Sequence, residues 1–244
     1  MARAGLTPER VVAQAADVAD EVGLHQLTLA TVAQRLGVAL PSLYQHVAGL
    51  DGLRRGLALL GMRELANRLA KAAMGRSGRD ALAGVADAYR RFATERPGLY
   101  AATMWAPSPD DAEHVAVSQD ALDVALAVMR SYGIEGVDAV HAIRIYRSAL
   151  HGFVAQEASG VFGMPESVDE SFRVMIELLH HALDGWHHSR CAGAPVPTAE
   201  SVQAVVRATA TPASIAAAAR PPSPVASTRS SSAMARAAAR CTAS

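Results

Sequence analysis

Apolar positions recur every three or four residues along most of the chain, the spacing of helices with one buried face. Thr7-Pro8-Glu9 reads as a helix start: a capping hydroxyl, proline in the first turn, then an acid. Val11, Ala15, Val18 and Val22 give that helix its inner stripe, and Gly23 ends it. A short second helix follows Thr28, with Val32, Ala33 and Leu36 inward and Gly37 as terminator. Pro41 opens a third, of about seven residues, carrying Leu43 and Val47. Asp51 is expected to cap a fourth, whose Leu53, Leu57, Leu60, Leu65 and Leu69 lead to about Met74, where "GRSG" breaks the chain. Further helical patterns cover about 79–95, 98–105, 115–132, 137–160 and 168–187, punctuated by Pro97-Gly98, "APSPDD", Tyr132-Gly133 and "GMPES". No strand-like alternation of useful length and no internal repeat interrupts them, so the fold class is all-α.

Composition agrees. Half of the residues are apolar but only 5% are aromatic, and alanine, the strongest helix former, dominates. No apolar run is long enough for a membrane span, and the N-terminus lacks a signal-peptide core, so a cytoplasmic protein with no membrane partner is expected. Cys191 and Cys241 lie late in the chain and form neither a disulfide framework nor a metal-site spacing. Formal charge is zero overall; it is balanced over residues 1–60, acidic over 61–189 and basic over 190–244. The last stretch is rich in Ala, Pro, Ser, Thr and Arg, a composition expected to be disordered. Bulk charge therefore does not advertise nucleic-acid binding in the first 60 residues, and any such function must rest on a motif.

The stretch "LGVALPSLYQHV" (36–47) supplies one. Gly37 closes one helix, Val38-Ala39-Leu40 make a tight connection, and Pro41 begins the next: the helix-turn-helix arrangement. A helical wheel puts Leu43 and Val47 on the inner face, toward Leu36 and Val32, and Pro41, Ser42 and Gln45 on the opposite one, with Tyr44 and His46 on the flanks. A helix lying in a major groove needs that layout, with base readers in the centre and phosphate-binding groups on both shoulders. Gln45 can pair bidentately with adenine, Ser42 can bond a base or a phosphate, and Leu40 or Pro41 can meet a thymine methyl.

The longer segment "LTLATVAQRLGVALPSLYQHVAGLDGLRRGL" (27–57) resembles the N-terminal DNA-binding domain of the TetR (tetracycline repressor) family, a resemblance that covers about residues 8–57 with the first helix. It implies a homodimeric transcriptional regulator, usually a repressor released by a small molecule, on an operator of palindromic half-sites in double-stranded DNA. Together with the wheel it gives a DNA-contacting set of Thr28, Ala39, Leu40, Pro41, Ser42, Tyr44, Gln45 and His46. Two departures stand out. The lysine common just after the recognition helix is missing from "VAGLDGL" (47–53), and position 30, an arginine in some members, is Ala30. Fewer cationic contacts imply a shallower salt dependence.

"SALHGFVAQEASGVF" (148–162) and "SFRVMIELLHHALDGW" (171–186) resemble, more loosely, the C-terminal domain of a TetR subgroup with a recurrent His-Gly pair. The implied organisation is a DNA-binding domain over 1–50, a connecting helix over 51–75, an effector-binding and dimerisation domain over 76–189, and the tail over 190–244. Tyr89, Phe92, Tyr100, Met104, Trp105, Tyr146, His151 and Phe153 concentrate the few large aromatic side chains in the middle helices and form the expected lining of an apolar effector pocket, with His151 as its polar selector. Phe172, Met175, Ile176, Leu179 and Leu183 form an apolar stripe expected at the dimer interface. His180, Asp184 and His188 share a helix face at chelating intervals, but Gly185 interrupts it, so no metal is expected, nor any cofactor. An all-α enzyme or small-molecule binding protein with a vestigial helix-turn-helix is the alternative. Against catalysis, the sequence holds no Gly-rich phosphate loop, nucleophile elbow or H-E-x-x-H motif.

Overall fold

The computed structural model describes residues 6–186 of the 244. Among them the chain forms nine α-helices, one short 3-10 turn (Leu24–Gln26) and no strand. The helices are α1 (Pro8–Val22), α2 (Leu29–Leu36), α3 (Leu40–Leu43), α4 (Gly49–Ala73), α5 (Gly78–Glu95), α6 (Pro97–Ala102), α7 (Ala112–Arg130), α8 (Gly136–Ala158) and α9 (Val168–Asp184). The basic tail, Cys191, Cys241, His187 and His188 lie outside the described residues.

The first two helices start as their sequence dictates. Thr7 Oγ1 accepts from the Arg10 N–H at 3.2 Å. Thr28 and Thr31 form a reciprocal capping box: the Thr31 N–H donates to Thr28 Oγ1 (3.1 Å) and the Thr28 N–H to Thr31 Oγ1 (3.2 Å). Gly37 ends α2 in the left-handed region at φ 67°, where a β-carbon is strained, and the Val38 N–H closes back on the Ala33 carbonyl (3.1 Å).

The third helix is shorter than its sequence suggests. It spans four residues with Pro41 at its second position, and Tyr44–His46 continue as a turn in which the His46 N–H bonds to the Leu43 carbonyl (2.9 Å). The chain then re-enters a helix at Gly49, so Asp51 is not the cap of α4 but lies in its first turn and pairs with Arg54 (3.5 Å). The inward pair is nonetheless as the wheel requires: Leu43 and Val47 are buried in a core with Val11, Ala15, Val32 and Leu53.

The connecting helix α4 runs from this small bundle into the larger one, where it packs along α5 and α7. Helix α6 lies against α1, so the two parts share a second seam. No described helix is long and apolar enough to cross a membrane.

Candidate DNA-binding surface and effector cavity

At the N-terminal end, α2 and α3 meet across the Gly37 turn and leave one edge uncovered. Thr28, Ala39, Leu40, Pro41, Tyr44 and Gln45 are exposed there, while Ser42 and His46 are half-buried on its flanks. Tyr44 is 59% exposed although it is aromatic and apolar in body, a placement that leaves its ring and hydroxyl free for a partner. The shortened α3 gathers these side chains into one helical turn and the turn that follows. The small bundle presents few cations: Arg35 is held by Glu21 and Arg54 by Asp51.

In the larger bundle, a cavity of about 370 Å³ opens between α4, α5, α7, α8 and the segment after α6. Its walls are apolar, with Met62, Leu65, Val85, Leu122, Ile143 and Leu150 prominent. Four of the residues expected from sequence line it: Tyr89, Met104, Trp105 and Tyr146. The other four do not. Phe92 is fully buried in the core beneath the Arg68 guanidinium, 5.3 Å from its ring. Phe153 stacks with Phe162 and Phe172 under Arg90, near α9. Tyr100 and His151 stand behind Tyr89 in a chain of polar contacts: Tyr89 Oη to Tyr100 Oη at 2.9 Å, then Tyr100 Oη to His151 Nδ1 at 2.6 Å. Burial pushes the hydroxyls of Tyr89 and Tyr100 up, so both stay protonated and able to donate. Tyr146 spends its own proton on the Leu82 carbonyl (2.6 Å). His151 therefore stands behind the wall rather than in it, and the charged side chain at the cavity that sequence reading missed is Arg147, exposed and next to Tyr146 on α8.

Side chains of α4 tie the larger bundle to the helix that follows the helix-turn-helix. Arg55 donates to Asp111 (2.7 Å) and Glu113 (2.9 Å), and Arg63 also binds Glu113 (2.6 Å). Asp111 caps α7 by accepting from the His114 N–H (3.1 Å). The Arg55 guanidinium and this cap hold its carboxyl down at about 2. Trp105, on the cavity wall, lies 5.6 Å from the Arg54 guanidinium.

On α9 the apolar stripe divides. Phe172, Ile176 and Leu183 are buried in the core of the chain, leaving Met175 and Leu179 partly open. Beside them Val174, Leu178 and Ala182 make an outward apolar face, which the inner stripe had masked in the sequence. His180 bonds to the Tyr132 hydroxyl through Nδ1 (3.0 Å). No group of metal-holding side chains occurs among the described residues.

A family model described as "Tetracyclin repressor-like, C-terminal domain" matches residues 82–179. An uncharacterized HTH-type transcriptional regulator of Bacillus subtilis, YobS, is 35% identical over 174 residues, 71% of this chain and 91% of the relative. This chain belongs to the TetR family. A second HTH-type relative of the TetR-like chain, Rv0681 of Mycobacterium tuberculosis, is 38% identical over 159 residues, 65% of this chain and 73% of that one. The TetR fold itself recurs in a TetR variant of Acinetobacter baumannii solved with minocycline, with a TM-score of 0.57 at 22% identity, covering 78% of this chain and all of that one. As a TetR-family member the protein is a DNA-binding transcriptional regulator with an N-terminal helix-turn-helix and a helical C-terminal domain.

Proposed function

We propose that the protein is a homodimeric repressor that leaves its operator when a small apolar molecule enters the cavity between α4, α5, α7 and α8. The observation that carries this reading is α4 itself. One end of it follows the exposed Tyr44–Gln45 surface, and its middle residues Met62, Leu65 and Leu69 line the cavity. A ligand that pushes on that wall shifts a rigid rod whose other end sets the position of α3, and Arg55 and Arg63 make α7 move with it. The Acinetobacter TetR variant was solved with a drug-sized molecule, minocycline, which fits a regulator built on this plan.

Residues 1–50 would bind DNA, 51–75 connect and 76–189 hold the effector and the dimer partner. The outward face of α9, with Val174, Met175, Leu178 and Leu179, supports pairing with a second copy. A two-fold pair presents two recognition surfaces to two half-sites one helical turn apart. The reading includes no catalytic role: the cavity lining holds no carboxylate, cysteine or histidine. It also puts the protein in the cytoplasm, beside the DNA it would regulate. Selection of bound duplexes from a random pool tests it. An inverted repeat with two equal half-sites is expected, and a pool that enriches no sequence would overturn it.

A further inference from the structure

Of the residues lining the cavity, Arg147 alone carries a formal charge. No carboxylate among the described residues pairs with it, whereas Arg90 on the neighbouring α5 is held by Glu157 and Asp169. It lines the same cavity as Tyr89, whose hydroxyl ends the Tyr89–Tyr100–His151 chain, and its positive charge pulls the pKa of that hydroxyl down against the burial that raises it. A planar cation with unused donors at the edge of an apolar chamber is a site for a planar anion, because guanidinium binds carboxylate in a two-pronged fashion.

We propose that the effector is a carboxylic acid with an apolar body: its carboxylate binds Arg147 and Tyr89, and its chain or ring fills the space among Met62, Leu65, Val85, Leu122 and Ile143. The inference rests on the reading of this cavity as the effector site. The polar chain behind Tyr89 suits the task because it runs in either direction. With Nδ1 of His151 protonated, His151 donates to Tyr100 and Tyr100 to Tyr89, which frees the Tyr89 proton for the ligand. Arg147 is exposed at the cavity's edge and solvated when no ligand is there, so a neutral alcohol gains no ion pair from it, and an amine would face it with like charge.

The test uses the full chain with two acids, decanoate and 4-phenylbutyrate, and their alcohols, 1-decanol and 4-phenylbutanol, all below micellar concentrations. Melting temperature and tryptophan fluorescence, to which Trp105 at the wall contributes, give apparent affinities. At least one acid should bind roughly tenfold or more tightly than its alcohol, and Arg147→Gln should collapse that preference. Tyr89→Phe should reduce it in part. Equal binding of acids and alcohols, or a preference that survives Arg147→Gln, overturns the acid assignment and leaves the cavity reading standing. No binding of any of the four overturns both.

Discussion

The backbone N–H of Gly98 donates to Oδ1 of Asp20 at 2.8 Å, fastening the first turn of α6 to α1. The Leu99 N–H shares the same oxygen at 3.0 Å, and Arg96 binds the other. The approach is so close that a β-carbon on Gly98 would stand 2.2 Å from the Ala19 carbonyl carbon. Since that neighbour is backbone, one of the two helices must move. Gly98→Ala is expected to lower stability by about 1–3 kcal/mol, read from the urea midpoint. An unchanged midpoint would mean that α6 slides off α1 without cost.

Asp111 gives stability a pH signature. Its carboxyl is held at about 2 in the folded chain against 3.8 in the open one, so the folded state favours the ionised form. The stabilisation is complete above the open-chain value and is lost as pH falls through it toward 2. Urea midpoints taken from pH 5 down to pH 2.5 should drop more steeply for the wild type than for Asp111→Asn. Parallel profiles would show that the Arg55 contact does not influence folding.

Leu178 on α9 is 66% exposed and lies in the middle of the outward apolar face. A charge there cannot be buried against a second copy without a partner. Leu178→Glu should sediment as a monomer and bind the selected duplex far more weakly, with its own melting little changed. A dimer that persists would move the interface elsewhere.

Ala48, exposed where α4 is about to begin, lies in the stretch 47–53 that carries no cation. Ala48→Lys should tighten duplex binding and steepen the slope of log affinity against log salt by roughly 0.9, one phosphate's share. A slope that does not move would put this position out of reach of the DNA backbone.

The helix-turn-helix was legible because its signals are local. Thr7, Thr28 and Gly37 act on neighbours within four residues, and the Leu43–Val47 pair needs only one turn of helix. The length of α3 was less legible, since the turn at Tyr44–His46 and the restart at Gly49 depend on how Val47 seats in the core. In the larger bundle, sequence marked aromatic residues but not their direction. Phe92 and Phe153 fill space between helices, as most large side chains do. The selector was expected at His151, whereas the charge at the cavity is Arg147, one residue beyond the buried Tyr146. Which positions on α8 reach the cavity is decided by the crossing of five segments, and no local pattern encodes that. The stripe on α9 divides for the same reason: Phe172, Ile176 and Leu183 turn into the core, Met175 and Leu179 stay on the outward face, and only the packed bundle shows the division.

If the surface around α3 reads DNA, anisotropy of the selected duplex titrated with wild type, Tyr44→Ala and Gln45→Ala at one salt concentration will show it. Both side chains are exposed, so neither change should disturb the fold. Each variant should lose roughly tenfold or more in affinity, and Gln45→Ala should also relax the preference at one base pair of each half-site. Wild-type affinity in both, with the base preference intact, would mean that this surface does not read DNA.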